Sequence, residues 1–387
     1  MERSGKRGNP PRVLLICRRI TPSIRLCGHE QFTYLQEKGL IEYTAVPETR
    51  LTLEDLNRAD TVVLGRTDSW YENRLAEMLQ KAGKYLVYIL DDDLLNVPDE
   101  VASAGNYNQK KIREYIREMI SRSDAIQSPS PLLLERYAKG KKAIRTEEPA
   151  VLPQAYRPHR PGEPVKIGFA GSPDRTGDLE NILREALTAV AREYGSRVKI
   201  EFFGAKPSFA AKIGAACIPY TDSYDSYRQT LNSLGWDIGL APMPDTPFHA
   251  CKHYNKFTEY AAAGIAGIFS DVGPYRRLDV FDGCAVRCGN TAAEWTDAIR
   301  SLVEDSERRE TIRMKAAACA AEKLSIQQCA EALYPALREC VNPDAGKVHA
   351  FLFPLKVVNA GKRFISVLRG RGIRGSLKAA RGRLQKG

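Results

Sequence analysis

The sequence predicts an α/β chain of two open parallel sheets in tandem, facing a cleft and followed by a basic tail. Three observations carry this. Short β-rich apolar runs alternate with helical patterns in two successive series, as expected of parallel sheets covered on both faces. A proline-rich break separates the series. The length, 387 residues, fits two domains at about 150 residues each. With 43% apolar and 27% charged residues, the composition is that of a globular chain and excludes wholesale disorder. The longest nearly unbroken apolar run, Tyr260 to Phe269, is too short to cross a bilayer. The basic N-terminus MERSGKRGNPPRVLLICRR has too short an apolar stretch for a signal peptide and no small-residue cleavage site.

The first series begins with a strand at 12–17 (RVLLIC) and a helix around 29–38. It continues with a strand at 41–46, a helix near Leu53, a strand at 61–64, a helix at 70–82 and a strand at 85–90. Residues 109–121 place Ile112, Tyr115, Ile116, Met119 and Ile120 at helical spacing. Prolines 149, 153, 158, 161 and 164 then interrupt the pattern, so residues 151–164 read as a linker between domains at 1–150 and 165–340. His159, inside RPHR, reads as a solvated linker residue. The second series has strands at 165–170, 198–203, 237–240 and 265–270. Its helices are at 178–193, 224–233 and 257–263, and three more close the body near 291–302, 307–321 and 325–340. Sheets of this kind bind ligands beyond the carboxyl ends of their strands, here in the cleft between the domains.

Nine scattered cysteines, with no CxxC pair, exclude an exported disulfide framework and a zinc site, and imply a reducing cytoplasm. Cys284 and Cys288 read as buried strand thiols. Charge is more informative: 58 basic against 47 acidic residues give +11. Eleven of the basic residues, and no acidic ones, lie between Ala345 and Gly387. The body is therefore neutral, and the high isoelectric point describes a tail, residues 341–387.

The segment DIGLAPMPDTPFHACKHYNKFTEYAAAGIAGIFSDVGPY (237–275) holds the richest chemistry. A strand ends in a polar loop with Asp245, His249, Lys252 and Lys256, and a helix follows with Glu259 in its first turn. Lysines beside a helix N-terminus suit a diphosphate, since unpaired backbone N–H groups and cationic side chains both favour an anion. Glu259 could accept both hydroxyls of a ribose; in isolation it would read as a first-turn carboxylate worth about 0.3–1 kcal/mol against the helix dipole. The company of Lys252, Lys256 and the small-residue turn favours the ribose. His249 and His253 are spaced i, i+4 but lack a third ligand, so a metal pair is not expected. Gly168, Gly171 and Ser172 fall short of a full GxGxxG, and glycines also end strands for packing reasons.

These residues resemble the donor-binding region of retaining glycosyltransferases with the GT-B fold. The matching parts are Glu259, the turn Ala261 to Gly264, the loop Ser270-Asp271-Val272-Gly273, and IGFAGSPDRTGDLE (167–180) as strand and phosphate loop. The resemblance spans 165 to about 333. It implies two Rossmann-like domains, the second holding a nucleotide-sugar through Gly171, Ser172, Arg175, His249, Lys252, Lys256 and Glu259. It further implies retention of configuration, no metal or other cofactor, and a leaving phosphate that itself takes the acceptor's proton. Two departures stand out. Cys251 occupies the position of a second glutamate, and KHYNK replaces a glycine-rich turn. Ser172 replaces a basic residue after the strand-end glycine, leaving Arg175 as its substitute.

Asp91, Asp92 and Asp93 follow the strand at 85–90 directly. Adjacent carboxylates repel one another unless hydrogen-bonded or occupied. They read either as a turn and helix cap or as a group with at least one member facing the acceptor. DDD also satisfies the metal-binding Asp-x-Asp motif of GT-A glycosyltransferases, a reading set aside because that fold has no use for the second domain. Arg66, Asp68 and the loop 18–28 are further acceptor-side candidates.

The expected activity is therefore transfer of a sugar from a nucleotide-sugar to a glycan or polyprenyl-linked acceptor, in bacterial cell-surface polysaccharide synthesis. The alternatives are a sugar-nucleotide epimerase or hydrolase on the same fold, and a nucleic-acid-binding protein using the tail. Against the latter, the neutral body shows no basic stripe or RNA-binding motif. In the tail, Val357, Val358, Phe364, Ile365 and Leu368 recur at helical spacing among lysines and arginines. That pattern is expected to dock residues 345–387 on an anionic membrane surface at the cell's inner face; a solvated basic tail is the competing reading.

Overall fold

Twelve strands among the described residues assemble into two six-stranded sheets whose pairings are all parallel. The computed structural model describes residues 9–150, 159–160, 162–221 and 223–349. The first sheet has β1 (Arg12–Cys17), β2 (Glu42–Pro47), β3 (Thr61–Gly65), β4 (Tyr85–Ile89), β5 (Ala125–Ser128) and β6 (Lys142–Arg145), in the order β2-β1-β3-β4-β5-β6. The second has β7 (Val165–Ala170), β8 (Val198–Phe203), β9 (Ala216–Ile218), β10 (Ile238–Ala241), β11 (Ala266–Ser270) and β12 (Val286–Cys288), in the order β12-β11-β10-β7-β8-β9.

Both orders reverse direction at one point, between β1 and β3 in the first sheet and between β7 and β10 in the second. Loops leaving the two strands at such a point diverge, opening a crevice at their carboxyl ends. Most apolar runs predicted as strands are buried on both faces, as β3 (TVVLG) shows throughout, whereas the edge strand β2 is exposed or half-buried. Helix starts follow their side-chain chemistry. Ser69 with Glu72, and Thr291 with Glu294, form capping boxes at the heads of Trp70–Lys81 and Ala292–Glu304, each worth about 1 kcal/mol.

β5, β6 and β9 are not anticipated by the sequence pattern, because each is only three or four residues long and two of them are partly exposed. Cys288 lies in β12, but Cys284 precedes it in a turn. His159 is not solvated: its Nδ1 lies 3.2 Å from Asp237 Oδ1.

The expectation that 165–340 form one C-terminal unit differs from the structure at its last helix, Ile326–Arg338. Ala330, Leu333 and Leu337, with Cys340 just beyond, share an apolar cluster with Leu15, Phe32 and Leu35 of the first domain. Thr61 Oγ1 also donates to Cys340 O. The physical cause is the helix's own apolar stripe, which covers a face of the first sheet's helical layer. Two chain crossings therefore join the domains, and they touch where Ala150 N donates to Leu324 O at 2.7 Å. Most of the expected linker, 151–158 and 161, lies outside the described residues, as does 350–387 of the expected tail. The tail's beginning is fixed on the first domain: Val348 is buried, and its N–H donates to Asn57 Oδ1 at 2.7 Å. No helix among the described residues is long and apolar enough to cross a membrane.

Candidate active site

The site lies where the switch point of the second sheet faces the first domain. β7 ends in Ala170-Gly171-Ser172, and Gly171 N donates to Phe203 O at 3.0 Å. Gly204, at φ +86°, crosses so close that a Cβ there would fall 2.1 Å from Gly171 O. Only glycine permits that approach. Gly168 has a different reason: a Cβ on it would meet the Trp236 indole at 2.0 Å. The GxxG spacing thus divides into one packing glycine and one glycine at the cleft. Arg175 leans over the end of β10, donating from Nη2 to Pro242 O at 3.0 Å and pairing through Nε with Asp178 at 2.8 Å.

The loop after β10 supplies the remaining cations. Thr246 caps the short turn Pro247–Ala250 and contacts His249 Nδ1 at 2.7 Å. Burial, reinforced by Arg175 and Lys252, pushes His249 down to about 4, so it is neutral at pH 7. Lys252 crosses the cleft to Asp92 Oδ1 at 2.7 Å. Lys256, in the first turn of the helix Asn255–Ala262, lies 2.5 Å from Glu259 Oε2 and 2.9 Å from the Tyr227 hydroxyl. The Ser-Asp-x-Gly loop works as a brace. Ser270 Oγ accepts from Met243 N and donates to Asn290 Oδ1, and Gly273, at φ +46°, lets the chain pass the backbone of Ala250.

The three aspartates separate. Asp91 pairs with Arg66 at 3.0 Å, and its Oδ1 is buried without a hydrogen-bond partner among the described residues. Burial holds its pKa above the usual carboxylate range, with Arg66 opposing. Asp92 is drawn below that range: burial would raise it, but Lys252 and Arg66 outweigh burial. Asp93 turns away from the cleft, bound by Arg136, by the Tyr137 hydroxyl at 2.5 Å and by Asn96 at 3.1 Å. Its role is to hold the turn. Arg66 adopts φ 49°, a left-handed conformation unusual for a residue with a Cβ, which aims its guanidinium at the two aspartates. Asp68 is occupied by Arg18 at 2.6 Å and Asn106 at 3.1 Å.

Together these residues enclose a cleft of about 240 Å³. Ser23, Asp91 and Asp92 line it from the first domain, and Gly171, Ser172, Arg175, Lys252, Lys256 and Tyr275 from the second. His249 and Glu259 are not in the lining; Glu259 borders a smaller cavity beside Tyr224 and Arg228. The sequence reading missed Glu148 and gave His253 no role once a metal pair was set aside; both line the cleft. His253 Nε2 lies 3.1 Å from Glu147 Oε2, and its Nδ1 lies 3.5 Å from Glu148 Oε2. Burial pushes His253 down, but the two glutamates outweigh it and the net shift is upward. Two acids ahead of a proline-rich break resemble solvated linker residues, so no local signal marks them. Among the described residues no group of three or more His, Cys, Asp or Glu side chains is placed to hold a metal.

No protein-family model and no curated protein matches the sequence. Solved structures do match in three dimensions. HepE of Anabaena, in complex with UDP, aligns over 85% of this chain and 100% of its own at 13% identity, with a TM-score of 0.57. Sucrose-phosphate synthase of Thermosynechococcus elongatus aligns over 85% and 98% at 12% identity, with a TM-score of 0.60. A Listeria monocytogenes protein assigned as a UDP-N-acetylglucosamine 2-epimerase aligns over 88% and 100% at 14% identity, with a TM-score of 0.53. Likeness of this extent at such low identity establishes architecture: the chain has the GT-B fold, two Rossmann-like domains closing on a cleft.

Proposed function

We propose that the protein transfers a sugar from a nucleotide-sugar donor to a hydroxyl of a glycan or polyprenyl-linked acceptor, with retention of configuration and no metal requirement. The observation that carries this reading is the convergence of Arg175, Lys252 and Lys256 on a cleft whose opposite wall holds Asp91 and Asp92. HepE in complex with UDP and glucose, and sucrose-phosphate synthase, share the fold and support a nucleotide-sugar as donor.

In this reading the three cations and the head of the helix Asn255–Ala262 stabilise charge that develops on the departing diphosphate. Such fixed, preorganised charge is commonly the largest catalytic contribution. The bond from the anomeric carbon to phosphate breaks, the acceptor oxygen bonds to that carbon, and the acceptor proton passes to the phosphate oxygen. Asp91 and Asp92 orient acceptor hydroxyls. The setting proposed is cell-surface polysaccharide synthesis at the cytoplasmic face of a membrane. A second reading, an epimerase or hydrolase, draws support from the fold shared with the Listeria protein.

Thermal-shift screening of UDP-, GDP- and ADP-sugars, followed by product analysis of the stabilising donor with and without EDTA, tests the proposal. A donor that raises the melting temperature and yields a new glycoside, with EDTA indifferent, supports it. Free sugar or an epimerised nucleotide as sole product would move the assignment to the second reading. Turnover abolished by EDTA and restored by manganese would overturn metal independence.

A further inference from the structure

Every cation reaching the cleft already has a carboxylate partner. Arg175 is held by Asp178 and Lys256 by Glu259, each three residues along its own segment, and Arg66 by Asp91 within the first domain. The pair between Lys252 and Asp92 differs: it spans 160 residues of sequence and joins the two walls at 2.7 Å. The local pairs orient their cations from behind, whereas this pair lies across the space a ligand would enter. A diphosphate reaching the second wall must therefore compete with Asp92 for the Lys252 ammonium.

Two features make the exchange feasible. Lys252 and Asp92 keep 23% and 22% of their side chains exposed, so neither is locked by packing. Asp92 also has a second cation in reach, Arg66 Nη2 at 3.8 Å, which stays beside it after the lysine leaves.

We propose that Asp92 is an intramolecular stand-in for the donor's diphosphate: it holds Lys252 until the donor arrives, and donor binding alone releases Asp92 to face the acceptor. This rests on the donor reading above. Asp92 is here a positioning residue that works through Lys252. Removing it as a competitor tightens diphosphate binding, the opposite of what loss of an ordinary binding residue does.

The test is calorimetric titration of the full chain with UDP, GDP and ADP, and with uridine as a probe lacking phosphate. In Asp92→Asn the Kd for the nucleoside diphosphate is expected to fall about tenfold, while uridine affinity stays unchanged, because one half-buried competing charge has been removed. Lys252→Met weakens diphosphate binding, and adding Asp92→Asn to it changes nothing further. Such a double-mutant cycle isolates the pair. Asp92→Ser gives a second charge-free variant should the amide fold poorly, with melting curves as the check. Unchanged or weaker binding in the folded Asp92 variants overturns the proposal. Equal tightening with and without Lys252 also overturns it, showing general repulsion by the acidic wall. If the wild-type chain binds none of the three nucleoside diphosphates, the donor reading falls first and this inference with it.

Discussion

Lys256 and Glu259 close a triangle with Tyr227: the ammonium lies 2.5 Å from the carboxylate, and the tyrosine hydroxyl lies 2.9 Å from the one and donates to the other at 2.7 Å. Glu259 therefore stands behind Lys256 and fixes where its charge points. Tyr227 is in turn stacked on Phe203, 5.1 Å between centroids. Sequence chemistry assigns Glu259 to a ribose; its surroundings give it a partner on the protein as well.

Glu259→Ala is expected to weaken nucleotide-sugar binding by about 1.5–3 kcal/mol, the range for a hydrogen bond to a charged group. The fold should persist, because the side chain supports no core cluster. Titration of donor into wild type and variant, with melting curves as control, measures it. Undiminished affinity in a folded variant would show that neither the ribose nor Lys256 depends on this carboxylate.

The His253–Glu147 pair gives the interdomain contact a pH window. Burial would raise Glu147, but the hydrogen bond and charge of His253 prevail and bring it down to about 2. Its contribution is therefore complete above its ordinary value of 4.5 and is lost as pH falls toward 2. His253 is shifted the other way, so its contribution is complete below 6.5 and is lost as pH rises through its raised value. Arg145 and the Tyr254 hydroxyl also face Glu147, and Glu148 faces His253. The two shifts share the His253–Glu147 pair, with Glu148 raising His253 further and Arg145 and Tyr254 lowering Glu147. The melting deficit of His253→Gln relative to wild type should peak between about pH 4.5 and 6.5 and shrink above it. A deficit independent of pH would show that His253 acts by shape alone.

How far the sequence reached depends on whether each signal is local. The apolar runs of β1, β3, β4, β7 and β11 and the helices beginning near 70 and 291 are local signals, and they appear where expected. Lys252 and Lys256 are legible for the same reason, beside a helix start. Partners brought together by folding are not. Nothing near Asp92 points to Lys252, and nothing near Glu148 points to His253. Asp93 shows the reverse limit: the three aspartates lie in a bend after β4, where Asp91 and Asp92 face the cleft and Asp93 turns to Arg136 and Tyr137, so adjacent identical residues meet different environments. The helix Ile326–Arg338 displays an apolar stripe, but a stripe does not say which domain it covers.

Gly168 offers a test of glycine roles in the second domain. Its missing side chain makes room for the Trp236 indole, which is itself fixed by donation from Nε1 to Glu201 Oε2 at 2.8 Å. Gly168→Ala should destabilise the protein by about 1–3 kcal/mol, the range for overpacking a filled core. Donor affinity of the folded fraction should stay near wild type, since the indole and not the cleft absorbs the clash. Urea unfolding and donor titration on the same samples separate the two effects. A variant of normal stability with impaired binding would place Gly168 in the phosphate loop after all.

The basic tail can be tested by a cut placed beyond the contacts that residues 342–348 make with the first domain. Asn342 Nδ2 donates to Gly83 O, Gly346 N to Ala82 O, and Val348 is clamped to Asn57 from both its N–H and its carbonyl. Gly83 and Asn57 precede β4 and β3, so this strap runs along the amino ends of the strands, opposite the cleft. A chain cut at Asp344 would strip Val348 from the core and confuse folding with binding; the cut belongs after His349. Ten basic residues and no acidic ones follow that point. Each contributes about 1 kcal/mol near an anionic surface, falling off within a Debye length. The full chain is expected to float with vesicles containing phosphatidylserine at physiological salt, to detach at high salt, and to ignore neutral vesicles. The chain ending at His349 is expected to stay in solution with unchanged donor affinity, because the cut leaves the strap at the amino ends of the strands and every cleft residue in place. If the shortened chain floats equally well, attachment belongs to the body; if neither floats, the tail is a solvated appendage and the acceptor need not be a lipid.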